Sequence, residues 1–110
     1  MGWFGRKKKN NKGTLDRASD NGDQRHLIEF IKSRTGVEAY IEPRTTVTET
    51  TVMLIAHDGE WTRRRVDGPA GAFALGSKQG IPVYEVAKTG YPQRKRDFDQ
   101  RKKLERQRRT

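Results

Sequence analysis

Aromatic and arginine side chains stand close together in one short run, Trp61-Thr62-Arg63-Arg64-Arg65. If this run is a β-strand, Trp61, Arg63 and Arg65 lie on one face, because successive side chains of a strand point to opposite faces. An aromatic ring can stack on a nucleobase while guanidinium groups bind phosphates. The run therefore predicts a surface that contacts nucleic acid.

The same run has an ordinary structural explanation, and the sequence leaves the choice open. In this alternative Trp61 belongs to the hydrophobic core and the arginines pair with acidic side chains on neighbouring elements. The acidic candidates are Glu38, Glu42 and Glu49.

Basic charge is concentrated at the two ends of the chain. There are 24 Lys and Arg against 14 Asp and Glu, which gives a net charge of +10. Residues 1–13 and 94–110 carry the excess, whereas the middle of the chain is close to neutral. Two basic segments on a near-neutral domain favour a polyanionic partner. The predicted nucleic-acid-binding residues are Lys7, Lys8, Lys9, Trp61, Arg63, Arg64, Arg65, Tyr91, Arg94, Lys95, Arg96, Arg101, Lys102 and Lys103.

Few residues are suited to catalysis or to holding a cofactor. The chain has no cysteine, which excludes a thiolate nucleophile, a cysteine zinc site and a disulfide framework. His57 precedes Asp58, but a histidine beside a turn is more often structural than a general base, and His26 is expected on a helix surface. We therefore expect no catalytic residues, no cofactor and no bound metal.

The sequence also bears on location. No apolar run is long enough for a signal peptide or a membrane-spanning helix, and the absence of cysteine fits a reducing cytoplasm. Trp3 and Phe4 beside the basic run 6–9 combine aromatic anchors with charges that anionic lipid attracts. We expect a cytoplasmic protein, with peripheral membrane contact through the N-terminus as an alternative.

Local patterns predict a small α+β domain with the element order α-β-β-β-α-β-α. Residues 1–22 read as a flexible basic segment, 23–93 as the domain, and 94–110 as a basic helix or tail. Asp23 is expected to cap a helix over 24–35, and the alternating run 37–41 to form an edge strand with one solvated face. Further predictions are a helix from Asp67 to Gly80 and a last strand over 81–86 that pairs in parallel.

The strongest local signal is an Asp58-Gly59 pair between two β-prone runs, which predicts a hairpin with a two-residue turn. The first hairpin strand is apolar on both faces and should be central, whereas the second should have one face open to solvent. The cross-strand pairs expected from this turn are His57 with Glu60, Ala56 with Trp61, Leu54 with Arg63, and Val52 with Arg65.

Four segments, 41–52, 56–66, 80–84 and 90–94, resemble a group of small basic actinobacterial proteins, with the likeness extending over residues 24–99. Some members of that group are labelled oxidoreductases. This chain shows no basis for that activity, because the glycines at 76–80 lie at the end of a predicted helix and not in a strand-to-helix turn that binds dinucleotides. The resemblance implies no activity that can be carried over.

The order of elements is also similar to the core of restriction-endonuclease-like nucleases. Those enzymes need an Asp in the first hairpin strand and a Glu-x-Lys in the second, because carboxylates hold Mg²⁺ beside a lysine. Here the first strand reads 52–55 Val-Met-Leu-Ile, and the second begins Glu60-Trp61-Thr62. This likeness therefore implies at most a version of the fold without nuclease activity.

Together these patterns predict a non-enzymatic nucleic-acid-binding protein. RNA or a ribonucleoprotein is favoured over a specific DNA site, because no helix-turn-helix, zinc finger or basic zipper is visible. The alternatives are a small adaptor that docks its β-hairpin on another protein and a peripheral membrane protein.

Overall fold

The structure is a computed structural model that describes residues 21–109. The predictions for Lys7, Lys8, Lys9 and the aromatic N-terminus lie outside this range. The elements are α1 (Asn21–Ser33), β1 (Glu38–Glu42), β2 (Thr51–Ile55), β3 (Trp61–Arg65), α2 (Gly68–Gln79), β4 (Val83–Glu85), α3 (Val86–Thr89) and α4 (Gln93–Arg109). The α+β class and the predicted element order are confirmed, with the short helix α3 added before the last helix. Within 21–109, none of the helices combines the length and apolar character required to cross a bilayer.

The four strands form one mixed sheet in the order β3-β2-β1-β4. β2 runs antiparallel to both β1 and β3, and β4 is parallel to β1, as predicted. The central position of β2 is confirmed, but the prediction that β1 is an edge strand is wrong. β4 occupies the second side of β1, with Ala39 opposite Val83, and this pairing joins segments far apart in sequence.

The main core lies between one face of the sheet and helices α1 and α2. Leu27 and Phe30 of α1 and Leu75 of α2 pack there against inward-facing strand residues. The strand residues are Ala39 and Ile41 of β1 and Val52 and Leu54 of β2. This face accounts for the apolar positions that recur in the sequence at helical and strand spacing.

A second, smaller core lies on the opposite face of the sheet. Tyr40, Met53 and Ile55 are buried there, with Trp61 and Tyr91 packed against them. The expectation of a solvated face on β1 is therefore wrong, since Tyr40 is only 5% exposed. The reason is that the chain returns at Tyr91 and begins α4 across this face.

The hairpin between β2 and β3 has a three-residue loop, so the predicted two-residue turn and its register are wrong. The amide of Ala56 donates to the carbonyl of Glu60 at 2.8 Å, and the amide of Gly59 donates to Ala56 at 2.9 Å. Gly59 has a φ of 95°. Three-residue hairpin loops of this kind end in a residue with a positive φ, usually glycine. The observed pairs are Ile55 with Trp61, Leu54 with Thr62, Met53 with Arg63, Val52 with Arg64, and Thr51 with Arg65.

This shift of one residue decides which side chains surround the tryptophan and arginines. Trp61 and Arg63 are opposite Ile55 and Met53 on the face of the second core, and Trp61 packs against that core. In the predicted register Arg63 would have faced Leu54, which belongs to the main core instead. The prediction that Trp61, Arg63 and Arg65 share a face holds, because it depends only on strand alternation.

The ends of the helices follow local sequence signals. Pro69 lies in the first turn of α2, and Gly80 ends it in the left-handed conformation, as predicted. Asp67 precedes the helix, but the expected capping hydrogen bond from its side chain is absent. The first helix begins at Asn21, so Asp23 lies within its first turn and is not the residue before it, as had been expected.

We expect the Gly76→Ala variant to lower the free energy of unfolding by about 1–3 kcal/mol. Gly76 is buried, and a Cβ atom there would overlap the Cγ2 methyl of Val83, which holds β4 against α2. Urea denaturation measures the loss. Ser77→Ala, an exposed position on the same helix, is the control and should stay within about 0.5 kcal/mol of the parent. Equal stability of the two variants would contradict the close packing of α2 on β4.

Candidate nucleic-acid interface

Two carboxylates of β1 organise the second face of the sheet. Glu38 and Glu42 lie on the same side of the strand as Tyr40, because they are an even number of residues apart. Both are partly buried, and each accepts hydrogen bonds from side chains that lie elsewhere in the chain. Their partners decide where several of the predicted binding residues are placed.

Glu42 binds Arg63 through both of its oxygens. The Arg63 Nε–Oε1 distance is 2.7 Å and the Nη2–Oε2 distance is 2.9 Å, which is the paired geometry that favours arginine with carboxylate. The hydroxyl of Thr51 donates to Glu42 at 2.7 Å, and the hydroxyl of Tyr91 donates to the other oxygen. Arg63 and Tyr91 are thus engaged within the domain, in agreement with the structural alternative.

Glu38 binds the first turn of α4. Arg94 Nη2 lies 2.7 Å from Glu38 Oε1, and Arg94 Nε donates to the carbonyl of Ala56 at 3.0 Å. The hydroxyl of Tyr40 donates to the same carboxylate oxygen at 2.8 Å. Arg94 therefore connects α4 to both β1 and the end of β2.

Trp61 is also used to hold α4. Its Nε1 donates to Asp99 at 2.8 Å, and Lys95 forms an ion pair with the other oxygen of Asp99 at 2.7 Å. The Lys95 ammonium lies 5.0 Å from the centre of the Trp61 ring and 5.3 Å from that of Tyr91, within the range of cation–π attraction. Three of the predicted binding residues thus form an internal contact.

The contacts of these groups shift their pKa values. Burial raises the pKa of Glu42, but the hydrogen bonds from Arg63, Tyr91 and Thr51 outweigh it and leave the pKa below its ordinary value. Burial followed by the hydrogen bond to Glu38 raises the pKa of the Tyr40 phenol to about 12. The carboxylates are therefore ionised and the phenol is neutral at neutral pH.

The other predicted cations of β3 lie at the edge of the sheet. Arg64 points to the helix face, with its Nε 3.8 Å from Asp23. Arg65 is exposed and makes no ion pair with any residue in 21–109. Charged side chains at an exposed strand edge also prevent pairing with another chain, which gives these arginines a structural role.

The second half of α4 extends away from the sheet and is exposed along its length. Every residue from 101 to 109 is exposed, and this segment holds six bases and a single acid, Glu105. We call residues 101–109 the free half of α4. Among the predicted residues, Arg101 donates to the carbonyl of Asp58 at 2.9 Å, Lys102 lies 3.5 Å from Glu105, and Lys103 has no ion pair within the described part of the chain.

Three further cations in the free half were not among the predicted binding residues. Arg106, Arg108 and Arg109 lie in the last turn of α4. The sequence showed their charge but did not decide between helix and tail, so their common placement was not evident. Cations in a last turn also interact favourably with the helix dipole, so part of their role is structural.

The two histidines have separate environments. His26 Nε2 lies 2.6 Å from the hydroxyl of Thr62, beside an open cleft of about 360 Å³ between α1 and β3. Burial, together with the charges of Arg64 and Arg34, lowers the pKa of His26. His57 is exposed at the hairpin loop, and its backbone amide donates to Thr35 at 2.8 Å. Across residues 21–109, acidic and histidine side chains form no group of three that could hold a metal ion.

Comparisons of this chain with protein-family models, with curated proteins and with solved structures gave no match. The resemblance to small actinobacterial proteins and the likeness to a nuclease core stay predictions.

We expect Gly59→Ala to destabilise the protein more than Gly80→Ala. Both glycines have a positive φ, so each alanine carries a backbone strain of about 1–2 kcal/mol. A Cβ at position 80 enters open space, whereas at position 59 it would overlap the carbonyl of Arg94 and come within 2.8 Å of Phe98. Hydrogen exchange should show faster exchange over residues 93–99 in Gly59→Ala alone. Equal losses with unchanged exchange would mean that α4 does not rest on the hairpin loop.

The Glu42→Gln substitution tests the carboxylate network by its pH dependence. We expect a loss of about 1–2 kcal/mol near neutral pH, because the ion pair with Arg63 is replaced by a neutral contact. The folded-state pKa of Glu42 is lowered, so its stabilisation is present above the ordinary value of 4.5 and is lost as the pH falls through the folded pKa. Denaturation at a series of pH values should therefore show the parent and the variant converging in acid.

The matched control for this series is Glu29→Gln. Glu29 is exposed on α1, and its side chain makes no ion pair within residues 21–109. Its charge acts on the pKa of His26, so the substitution should leave unchanged the part of the profile at and below 4.5, the ordinary pKa of Glu42. A Glu42→Gln loss that is independent of pH would contradict the role given to the carboxylate.

Proposed function

We propose that this protein is a non-enzymatic, cytoplasmic nucleic-acid-binding protein whose partner is RNA or a ribonucleoprotein. The observation that carries the proposal is the free half of α4, an exposed helical segment with six bases and one acid. This segment belongs to the basic C-terminal stretch of the sequence, and its residues are helical. The basic N-terminal residues would add further attraction for phosphate.

Repulsion between like charges opposes helix formation in the free half of α4, although Lys102 pairs with Glu105 there. Like charges three or four residues apart destabilise a helix, and Arg106 is placed in this way relative to Lys102, Lys103 and Arg109. Packing does not compensate, because all of these residues are exposed. Phosphates would neutralise the repulsion, so binding of nucleic acid and helical order in this segment support each other.

The proposal gives two groups of basic and aromatic residues different tasks. Trp61, Tyr91, Arg94 and Lys95 hold α4 and the segment before it to the sheet, and Arg63 is bound by Glu42 in the same network. The cations that would meet phosphate are the exposed ones of α4. These are Arg96, Arg101, Lys102, Lys103, Arg106, Arg108 and Arg109.

This division changes which substitutions are informative. Arg63→Ala would leave the partly buried Glu42 without its cation and disturb the attachment of α4, so weaker binding would not identify a phosphate contact. Residues in the free half can be neutralised without removing any contact to the sheet, provided that Arg101 is left in place.

We expect the quadruple change of Lys103, Arg106, Arg108 and Arg109 to Gln to weaken RNA binding strongly. Each phosphate contact that is lost should lower the slope of log affinity against log salt by slightly less than one, so the slope should fall by about three. Fluorescence anisotropy with a labelled RNA over a salt series measures both quantities. The matched control neutralises Arg25, Lys32, Arg44 and Lys78, which are exposed and make no ion pair within residues 21–109.

Equal weakening by the two variants would show that only total charge matters and would contradict a site on α4. The adaptor and membrane alternatives are separated by isolating the tagged protein from its own cells at low salt, with and without RNase and DNase, and by sedimentation with anionic vesicles. A partner that survives both nucleases, or vesicle binding without RNA binding, would overturn the proposal.

A further inference from the structure

From Gln100 to its end, α4 has one uncharged strip, and the charged side chains around the rest of its circumference are basic except Glu105, which lies on the opposite side. With about 100° of rotation per residue, Gln100, Leu104 and Gln107 fall on the side opposite Phe98, which contacts the hairpin. Leu104 is 42% exposed, and Gln100 is exposed beside it. We call these three positions the outward strip.

Cations flank the outward strip on both sides. Arg101 and Arg108, seven residues apart, lie along one border, and Arg96 and Lys103, also seven apart, lie along the other. Each pair spans about 10 Å along the helix. All four side chains are exposed, although Arg101 also donates to the carbonyl of Asp58 and Asp97 lies one turn before Arg101 on the same border. From residue 100 to the end of the helix, each border therefore carries cations, with amides and one apolar side chain between them.

Two rows of cations fit a ligand that has phosphates on both sides of the helix. A single strand offers one row of phosphates, and a membrane surface selects a helix with one broad apolar face, which a lone leucine does not provide. A duplex groove has a phosphate row on each wall and base edges at its floor. The amide of Gln100 can donate to and accept from a base edge, so this part of the outward strip is complementary to the floor.

We propose that α4 from Gln100 to Arg109 enters the major groove of an RNA duplex at a bulge or internal loop. The inference rests on the proposed function and names the form of RNA that this helix would bind. The major groove of an intact A-form duplex is deep and too narrow for a helix about 10–12 Å across, so the groove must be opened. A bulge opens it and also supplies an unstacked base, whose face Leu104 can contact while Gln100 binds its edge.

The position of the helix on the domain favours a deep groove over a shallow one. Residues 101–109 stand clear of the sheet and extend for about 13 Å, so this end can penetrate without a clash from the domain. The helix end is fixed at its other half by Arg94, Phe98 and Asp99, which gives the free half a defined direction.

The test compares four labelled probes of matched sequence with the full-length protein. They are an RNA duplex with a bulge, the same duplex without it, the single RNA strand, and the corresponding DNA duplex. We expect the bulged RNA to bind roughly tenfold or more tightly than the perfect RNA duplex, because only the opened groove admits the helix.

Two double variants test the orientation of the helix. Gln100→Ala with Leu104→Ala should reduce affinity for the bulged RNA by roughly tenfold and leave the salt slope unchanged, because no phosphate contact is removed. Lys103→Gln with Arg108→Gln should lower the slope by about two. The control, Lys32→Gln with Lys78→Gln, makes the same charge change on other exposed helix positions and should have no effect. Circular dichroism checks that helix content is retained.

The outcomes separate this inference from the proposed function. If the perfect RNA duplex, the single strand or the DNA duplex binds as tightly as the bulged RNA, the inference is wrong while nucleic-acid binding stands. If the outward-strip variant binds normally and the charge variant does not, the helix meets phosphate without entering the groove, and the inference is again wrong. If none of the probes binds, both proposals are wrong.

Discussion

The placement of two carboxylates on the covered face of β1 is the constraint on which the rest of the structure depends. Glu38 and Glu42 bring together β3, the segment at Tyr91 and the first turn of α4 beside the small second core. Partly burying a carboxylate is unfavourable unless donors replace its water, and each of these has at least two. The network thus fixes the position of α4 more than it adds to stability.

The hairpin loop leaves the space that α4 needs to lie close to the sheet. Gly59 closes the loop in a left-handed conformation and leaves room for the backbone of Arg94, so α4 can approach the sheet closely. The loop also sets the register that places Trp61 above Ile55 and within reach of Asp99. Because Gly59 has no side chain, it allows both the left-handed turn and the close approach of α4 to the loop.

Basic residues in this protein fall into two classes that composition cannot distinguish. Arg63, Arg94 and Lys95 are satisfied by carboxylates of the domain, whereas the cations of the free half of α4 face solvent. Much of the charge excess is therefore available to a partner. It lies on the exposed half of α4, whose other half is held against the sheet. This difference in availability is the physical basis of the proposed function.

The sequence by itself determined the features that depend on local chemistry. The α+β class, the central position of β2 and the limits of α2 at Asp67 and Gly80 follow from periodicity and from residues suited to helix ends. Which side chains share a face of β3 also follows, because alternation is a property of any strand. The concentration of charge toward residues 94–110 was equally visible.

Only the tertiary structure decided which predicted binding residues are free. β1 became central because β4 pairs with it from a distant part of the chain, and its second face became buried because Tyr91 and α4 return across it. The one-residue difference in the hairpin moved Arg63 beside Met53 and toward Glu42. Pairing across such separations depends on register and on the order of strands, and neither is encoded in any short segment of the sequence.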